Sequence, residues 1–183
     1  MNLIALTGAS YSGKTVLADH LAANGYLKIN FTETLKRQAK IALAACGVVV
    51  DEEDINRNKG SYRGLLQELG THLGFDSDPL WVEEALARWE DLGRPAAVFD
   101  NARTDAQAAT LLRLGFRVVK VQVRPEIRAL RAWSAGVTEE MLDVASHHPV
   151  EQGLTENLIE YTVSGEAPPD RTLRLLQGLA DAA

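Results

Sequence analysis

The sequence predicts a three-layer α/β fold built on a five-stranded parallel sheet. Short apolar runs alternate along the chain with stretches of helical apolar spacing, the pattern of parallel strands joined by covering helices. Three polar clusters, Gly8 to Thr15, Asp100 to Arg103 and Arg124, stand at the carboxyl ends of those runs, where such sheets bind their ligands.

Leu3 to Leu6 is an apolar run ending at Thr7-Gly8, expected as a buried strand. Lys14 to Ala23 places Val16, Leu17, Leu21 and Ala22 on a helical stripe closed by Asn24-Gly25. Tyr26 to Asn30 reads as the second strand and Thr32 to Cys46, with Leu35, Ala39, Ile41 and Leu43, as a helix. Asp51 to Gly60 is charged and aperiodic and is expected as a loop. Arg63 to Leu73 and Leu80 to Leu92 read as two helices, and Ala96 to Phe99 as the third strand. A helix over Thr104 to Leu114, stopped by Gly115, leads to a fourth strand over Val118 to Val123. Pro125 opens a helix to Trp133, since proline suits a first helical turn. Leu158 to Val163 is expected as the fifth strand, and Thr172 to Ala182 as the closing helix.

A chain of 183 residues is long enough for one domain with a proper core, expected over 1–183. The net charge of −6, with no block of basic residues, argues against a nucleic-acid backbone as partner, because neutralising phosphates needs a basic face. It leaves room for small phosphorylated ligands. The longest apolar stretch, Ile41 to Val50, is too short to span a bilayer, so no membrane partner is expected. The N-terminus lacks the pattern of a signal peptide, and the lone Cys46 fits a reducing, cytoplasmic setting. Cys46 is expected as a buried small apolar residue beside Ala44, Ala45 and Val48.

The strongest chemical signal is Gly8-Ala9-Ser10-Tyr11-Ser12-Gly13-Lys14-Thr15, which matches G-x-x-x-x-G-K-[ST] between a strand and a helix. Gly8, Ser10, Ser12 and Gly13 belong to a loop whose backbone N–H groups can cradle phosphate oxygens. Lys14 supplies a mobile charge for the β- and γ-phosphates, and Thr15 a hydroxyl for Mg²⁺, at a helix N-terminus that favours anions. The four fixed positions recur by chance in roughly fewer than one in a hundred chains of this length. ATP and Mg²⁺ are therefore the expected donor and cofactor. Asp100, at the end of the third apolar run, is either a second Mg²⁺ holder or a turn residue.

Two further groups are candidates. Arg63 and Gln67, spaced i, i+4, share one helix face, which suits a phosphate and a base edge or simply a solvated surface. Arg124, Arg128 and Arg131 follow the fourth strand. Arginine can stabilise a phosphoryl group in flight, although an exposed helix carries such residues too. Ser134 to Glu151 is a lid candidate, with His147-His148 as lid or turn residues. Trp81, Trp89 and Trp133 are expected to pack, and Ser164 to Ala167 to lie against adenine.

Four segments resemble the phage-type deoxynucleoside monophosphate kinases, within the larger group of nucleoside monophosphate kinases. They are the opening from Leu3 to Ala18, Phe31-Thr32-Glu33-Thr34-Leu35-Lys36, Arg63 to Thr71 followed by Trp81-Val82, and Asp100 to Arg103 followed by Leu114 to Val119. Arg103 stands one residue later than in the family's D-V-R, and Phe75-Asp76 stands where the family often has an arginine. The resemblance implies strand order 2-3-1-4-5, acceptor-binding helices at about 31–92 and a lid at about 128–151. It also implies that Lys36, Arg63 and Arg103 bind the acceptor, that Gln67 faces its base, and that Lys14, Asp100 and the arginines 124, 128 and 131 are catalytic.

The implied reaction moves the γ-phosphoryl group of ATP to a deoxynucleoside 5′-monophosphate, in a cytoplasmic monomer or homodimer (in the host cytoplasm if phage-encoded). No N-K-x-D guanine-reading motif is present, since Asn58-Lys59-Gly60-Ser61 lacks the aspartate. A small-metabolite kinase of the dephospho-CoA kinase kind would want an acidic D-x-D after the second strand, where Asn30 to Glu33 stands. A nucleotide-binding module without catalysis would keep the loop and lose the acceptor contacts.

Overall fold

A computed structural model describes residues 3–30, 32–74, 80–138, 140–142 and 153–181. The strands are β1 Leu3–Thr7, β2 Leu27–Ile29, β3 Ala97–Phe99, β4 Arg117–Gln122 and β5 Tyr161–Ser164. They form one sheet in the order β2-β3-β1-β4-β5, with every neighbouring pair parallel. The expected order is therefore the observed one.

Alternation along β1 builds the layers, because successive side chains leave opposite faces of a strand. Leu3 and Ala5 join the core beneath helix α5 (Leu80–Asp91) and helix α6 (Asp105–Arg113), with Val82, Leu86, Trp89 and Leu111. Ile4 and Leu6 face the other way. They meet Leu17 and Leu21 of helix α1 (Lys14–Ala23) and Leu173 and Leu176 of helix α8 (Pro169–Asp181). Both faces of β1 are thus dry, as a central parallel strand requires. The Trp89 ring meets Phe116 edge-on at 5.4 Å, and its indole N–H donates to the Pro95 carbonyl at 2.8 Å.

Helix α2 (Thr32–Ala45), helix α3 (Glu52–Arg57) and helix α4 (Lys59–His72) lie between β2 and α5 in the chain. Helix α3 overturns the loop expected over Asp51 to Gly60. Asp51 caps it, accepting from the Asp54 backbone N–H at 2.6 Å, and Ile55 is fully buried. Asp54 then accepts from the Asn58 amide and the Tyr62 hydroxyl, each at 2.9 Å. A helix of under two turns has room for one buried position, so apolar periodicity is silent there.

Three other expectations shift. Cys46 is exposed, because α2 ends there and the chain beyond it through Val49 lies at the surface. Trp133 is 74% exposed at the end of helix α7 (Pro125–Ser134), so it does not pack. The fifth strand begins at Tyr161 rather than Leu158, because Glu156–Leu158 forms a 3₁₀ turn. The side chain of Trp81, Phe75-Asp76 and residues 143–152, and with them His147, His148 and the C-terminal part of the expected lid, lie outside the described residues.

Candidate active site

The loop Gly8 to Gly13 leaves β1 and enters α1 through two left-handed glycines, Gly8 at φ 133° and Gly13 at φ 104°. A Cβ on Gly8 would fall 2.4 Å from the Val121 carbonyl oxygen of β4, so only glycine fits there. Tyr11 also holds a positive φ of 65°, an uncommon conformation for a residue with a Cβ. The Ser12 N–H donates to the Ala9 carbonyl at 3.2 Å, closing the turn. Lys14 folds back over the loop, its ammonium donating to the carbonyls of Gly8 at 2.6 Å and Ala9 at 2.8 Å.

A cleft of about 740 Å³ opens beyond the carboxyl ends of the strands. Its lining includes Ser10, Gly13, Lys14, Thr15 and Asp100. Because β1 is the middle strand, the P-loop divides the cleft into two sides. On the β5 side the wall is the segment from Ser164 to Pro169, with Thr172. On the β2 and β3 side it is Asn30, Lys36, Leu66, Gln67, Asn101 and Arg103. Of the sequence-predicted loop residues, Ser12 is buried at 1% exposure and Gly8 packs against the Val121 carbonyl.

Asp100 is 4% exposed, anchored by its N–H to the Ile29 carbonyl at 3.1 Å. Its Oδ2 accepts from the Asn30 amide at 3.4 Å and lies 3.4 Å from the Lys28 ammonium. Lys28 also reaches Asp19 of α1 at 2.6 Å. Burial pulls the Lys28 ammonium toward a lower pKa, but the bond to Asp19 and the charges of Asp100 and Asp19 outweigh it and hold the pKa above the ordinary value. After Asp100 the chain is pinned again, by Ala102 N–H to the Leu6 carbonyl at 2.9 Å and by Gln107, whose side chain accepts from the N–H groups of Arg103 and Thr104. Gln107 is a structural residue of the site that the sequence reading missed. Its signal was there as the capping box Thr104-x-x-Gln107.

On the β2 and β3 side of the cleft Lys36 is 7% exposed, whereas a lone lysine in a sequence reads as a surface residue. The Gln67 side-chain nitrogen is buried without a hydrogen-bond partner among the described residues. Arg63 stands one helical turn before Gln67 on α4, and its side chain lies outside the described residues.

The three arginines separate. Arg131 reaches the cleft and donates to the carbonyls of Ser12 at 3.0 Å and Gly165 at 2.8 Å. Arg128 Nε donates to the Ser10 carbonyl at 3.0 Å, supporting the loop from outside. Arg124 forms a two-pronged pair with Glu166, with contacts of 3.0 and 2.7 Å to one carboxylate oxygen, which raises the guanidinium pKa and lowers that of the carboxyl. A Cβ on Gly165 would lie 2.0 Å from the Ser12 carbonyl oxygen, so the segment after β5 touches the P-loop directly.

Among the groups lining the cleft are the Thr15 hydroxyl and the Asp100 carboxylate, hard oxygens of the kind Mg²⁺ takes. The described residues hold no group of three or more His, Cys, Asp or Glu able to cage a metal. A magnesium ion that draws most of its ligands from phosphates and water fits this donor set.

Fold and loop together place the chain in the class of P-loop folds. No family model and no curated protein matches the sequence. Among solved structures, a sugar kinase from Janibacter sp. HTCC2649 aligns with a TM-score of 0.55 at 15% identity, over 100% of this chain and 96% of that one. Shikimate kinase from Acinetobacter baumannii in complex with shikimate gives a TM-score of 0.55 at 17% identity, covering 100% and 94%. A gluconokinase from Sinorhizobium meliloti 1021 gives 0.53 at 19% identity, covering 100% and 93%. The chain thus has the fold seen in P-loop small-molecule kinases. No helix among the described residues is long and apolar enough to cross a membrane.

Proposed function

We propose that the protein is an ATP-dependent kinase whose acceptor is a deoxynucleoside 5′-monophosphate. The observation that carries this is the cationic side of the cleft beside the P-loop, where buried Lys36 stands with Arg103 and with Gln67, whose side-chain nitrogen has no hydrogen-bond partner among the described residues. Lys36 and Arg103 bring positive charge to that wall, which suits an acceptor phosphate. An amide nitrogen buried without a hydrogen bond is unfavourable, and a base edge would satisfy it.

In the proposed reaction an acceptor phosphate oxygen bonds to the γ-phosphorus as the bond to the β–γ bridging oxygen breaks, releasing ADP. The acceptor oxygen is already anionic near neutral pH, so positioning and charge stabilisation carry the rate. Lys14 follows the transferred charge, Arg131 closes the donor side, and Lys36 with Arg103 orients the acceptor phosphate. Arg63 is proposed to share that role, and Arg124 and Arg128 to support the donor side. Thr15 and Asp100 would hold Mg²⁺, which when bound screens the phosphates.

A second reading follows from Asp100, a buried carboxylate at the cleft, and from solved neighbours that include a kinase with shikimate bound. An acceptor hydroxyl would then give its proton to Asp100.

Turnover with ATP and Mg²⁺ across four deoxynucleoside monophosphates and a set of hydroxylated acids separates the two. Phosphorylation of at least one monophosphate, with Gln67→Ala changing the preference among bases, is the expected result. Turnover confined to hydroxylated acids would replace the first reading with the second.

A further inference from the structure

We propose that Lys28 is a resident counter-ion of Asp100, and that a divalent cation arriving with the nucleotide displaces its ammonium toward Asp19. The proposal rests on the metal-holding reading of Asp100 given above.

Lys28 lies on β2 in register with Val98 of β3, whose side chain belongs to the core beneath α1. The lysine therefore extends across the face that carries Asp19. Its ammonium sits between two carboxylates of very different surroundings. Asp100 is almost wholly buried, whereas the Asp19 side chain is 61% exposed. An ionised carboxylate at the depth of Asp100 requires a countercharge and hydrogen bonds. Lys28 supplies the charge at 3.4 Å, and the Asn30 amide a bond of the same length.

A cation bound at Asp100 would bring two positive charges beside that ammonium, and like charges in a half-buried site repel. Asp19 offers the ammonium a second seat without a large movement, since the shorter of its two contacts, 2.6 Å, is already made there. The lysine need only rotate away from Asp100. The buried carboxylate would thus remain neutralised with the cation and without it. Lys28 acts through Asp100 and is a positioning residue.

The test titrates the full chain, saturated with ADP, with Mn²⁺ in place of Mg²⁺, and reads free Mn²⁺ by electron paramagnetic resonance. Lys28→Met keeps the apolar stem and removes the competitor, so Mn²⁺ should bind about three- to fivefold tighter, the range of a partly exposed charge pair. Asp19→Asn removes the second seat and should weaken Mn²⁺ binding. Opposite directions in the two variants support the exchange, because damage to packing would weaken both. In an Asp100→Asn background, Lys28→Met should have no effect. Unchanged or weaker Mn²⁺ binding in a folded Lys28→Met protein overturns the proposal, as does a tightening that persists without the Asp100 carboxylate. If Lys28→Met fails to fold, Asp19→Asn decides alone, and unchanged or tighter binding there overturns it. If Asp100→Asn itself leaves Mn²⁺ affinity unchanged, the metal reading of Asp100 has failed and takes this proposal with it. A loss with Asp100→Asn but no shift in either other variant rejects the exchange alone.

Discussion

Arg131 donates to the Gly165 carbonyl at 2.8 Å, and the same guanidinium donates to the Ser12 carbonyl at 3.0 Å, so one side chain ties the segment after β5 to the P-loop. Arg124 holds the same segment from its far side through Glu166, with 69% of its own side chain exposed.

These different surroundings separate the two arginines in function. Removing bonds from a charged donor in a part-buried site costs more than removing a solvated pair. Arg131→Ala should lower kcat/KM for ATP by about tenfold to a hundredfold. Arg124→Ala should change it by less than about fivefold. Steady-state kinetics with varied ATP checks the order, and equal losses would reject the division of roles.

Gly165 has no space for a side chain. Gly165→Ala should force the P-loop and the following segment apart, destabilising the fold by about 1–3 kcal/mol. Urea unfolding reads the stability, and calorimetric ADP binding reads the donor site. An alanine variant equal to wild type in both would show that the close approach relaxes at no cost.

Lys14 lies over the P-loop while the cores rest on apolar strands, so Lys14→Ala should fold normally. Its ATP turnover should fall by at least about a hundredfold, the scale of losing one group that stabilises developing charge. Circular dichroism and a coupled ADP-release assay make the comparison, and near wild-type turnover would remove the phosphate role.

The Glu166 carboxyl is held below its ordinary pKa, first by the hydrogen bond from Arg124. A group depressed in the folded state contributes stability above its unfolded pKa and loses it as pH falls through the folded one. Wild type should therefore lose stability on acidification from the ordinary glutamate range downward, and part of that loss should be missing in Glu166→Gln. Thermal melts across acidic pH test the difference. Parallel curves would mean that the pair is too solvated to matter.

The P-loop was legible because eight consecutive residues build the whole cradle, so the local chain carries the geometry. The sheet was legible because its central strands β1 and β3 are dry on both faces and most of its helices are striped. The Lys28–Asp100 contact was not, since it joins positions 72 apart that meet only when β2 lies beside β3. Lys36 gave no sign of burial, because the cleft it lines also draws on α4 and on the chain after β3, both distant in sequence. The helix expected from Pro125 carries Arg128 and Arg131, with Arg124 as its N-cap, but the sequence is blind to their partners, which lie in the P-loop and after β5.

The strand order also governs when the molecule can begin to assemble. β1 pairs with β3 and β4, and β2 with β3, so neither of the first two strands has a sheet neighbour until residue 97 has been made. At ribosomal rates of about 5–20 residues per second, the early strands wait roughly 5–20 seconds for a partner. The P-loop exists as sequence during that interval, but nucleotide has no assembled site through which to stabilise the nascent chain. A fragment ending at Arg94 is therefore expected to show helical circular dichroism without a cooperative melt. One reaching past β4 should be the first to gain protection from ADP in pulse proteolysis.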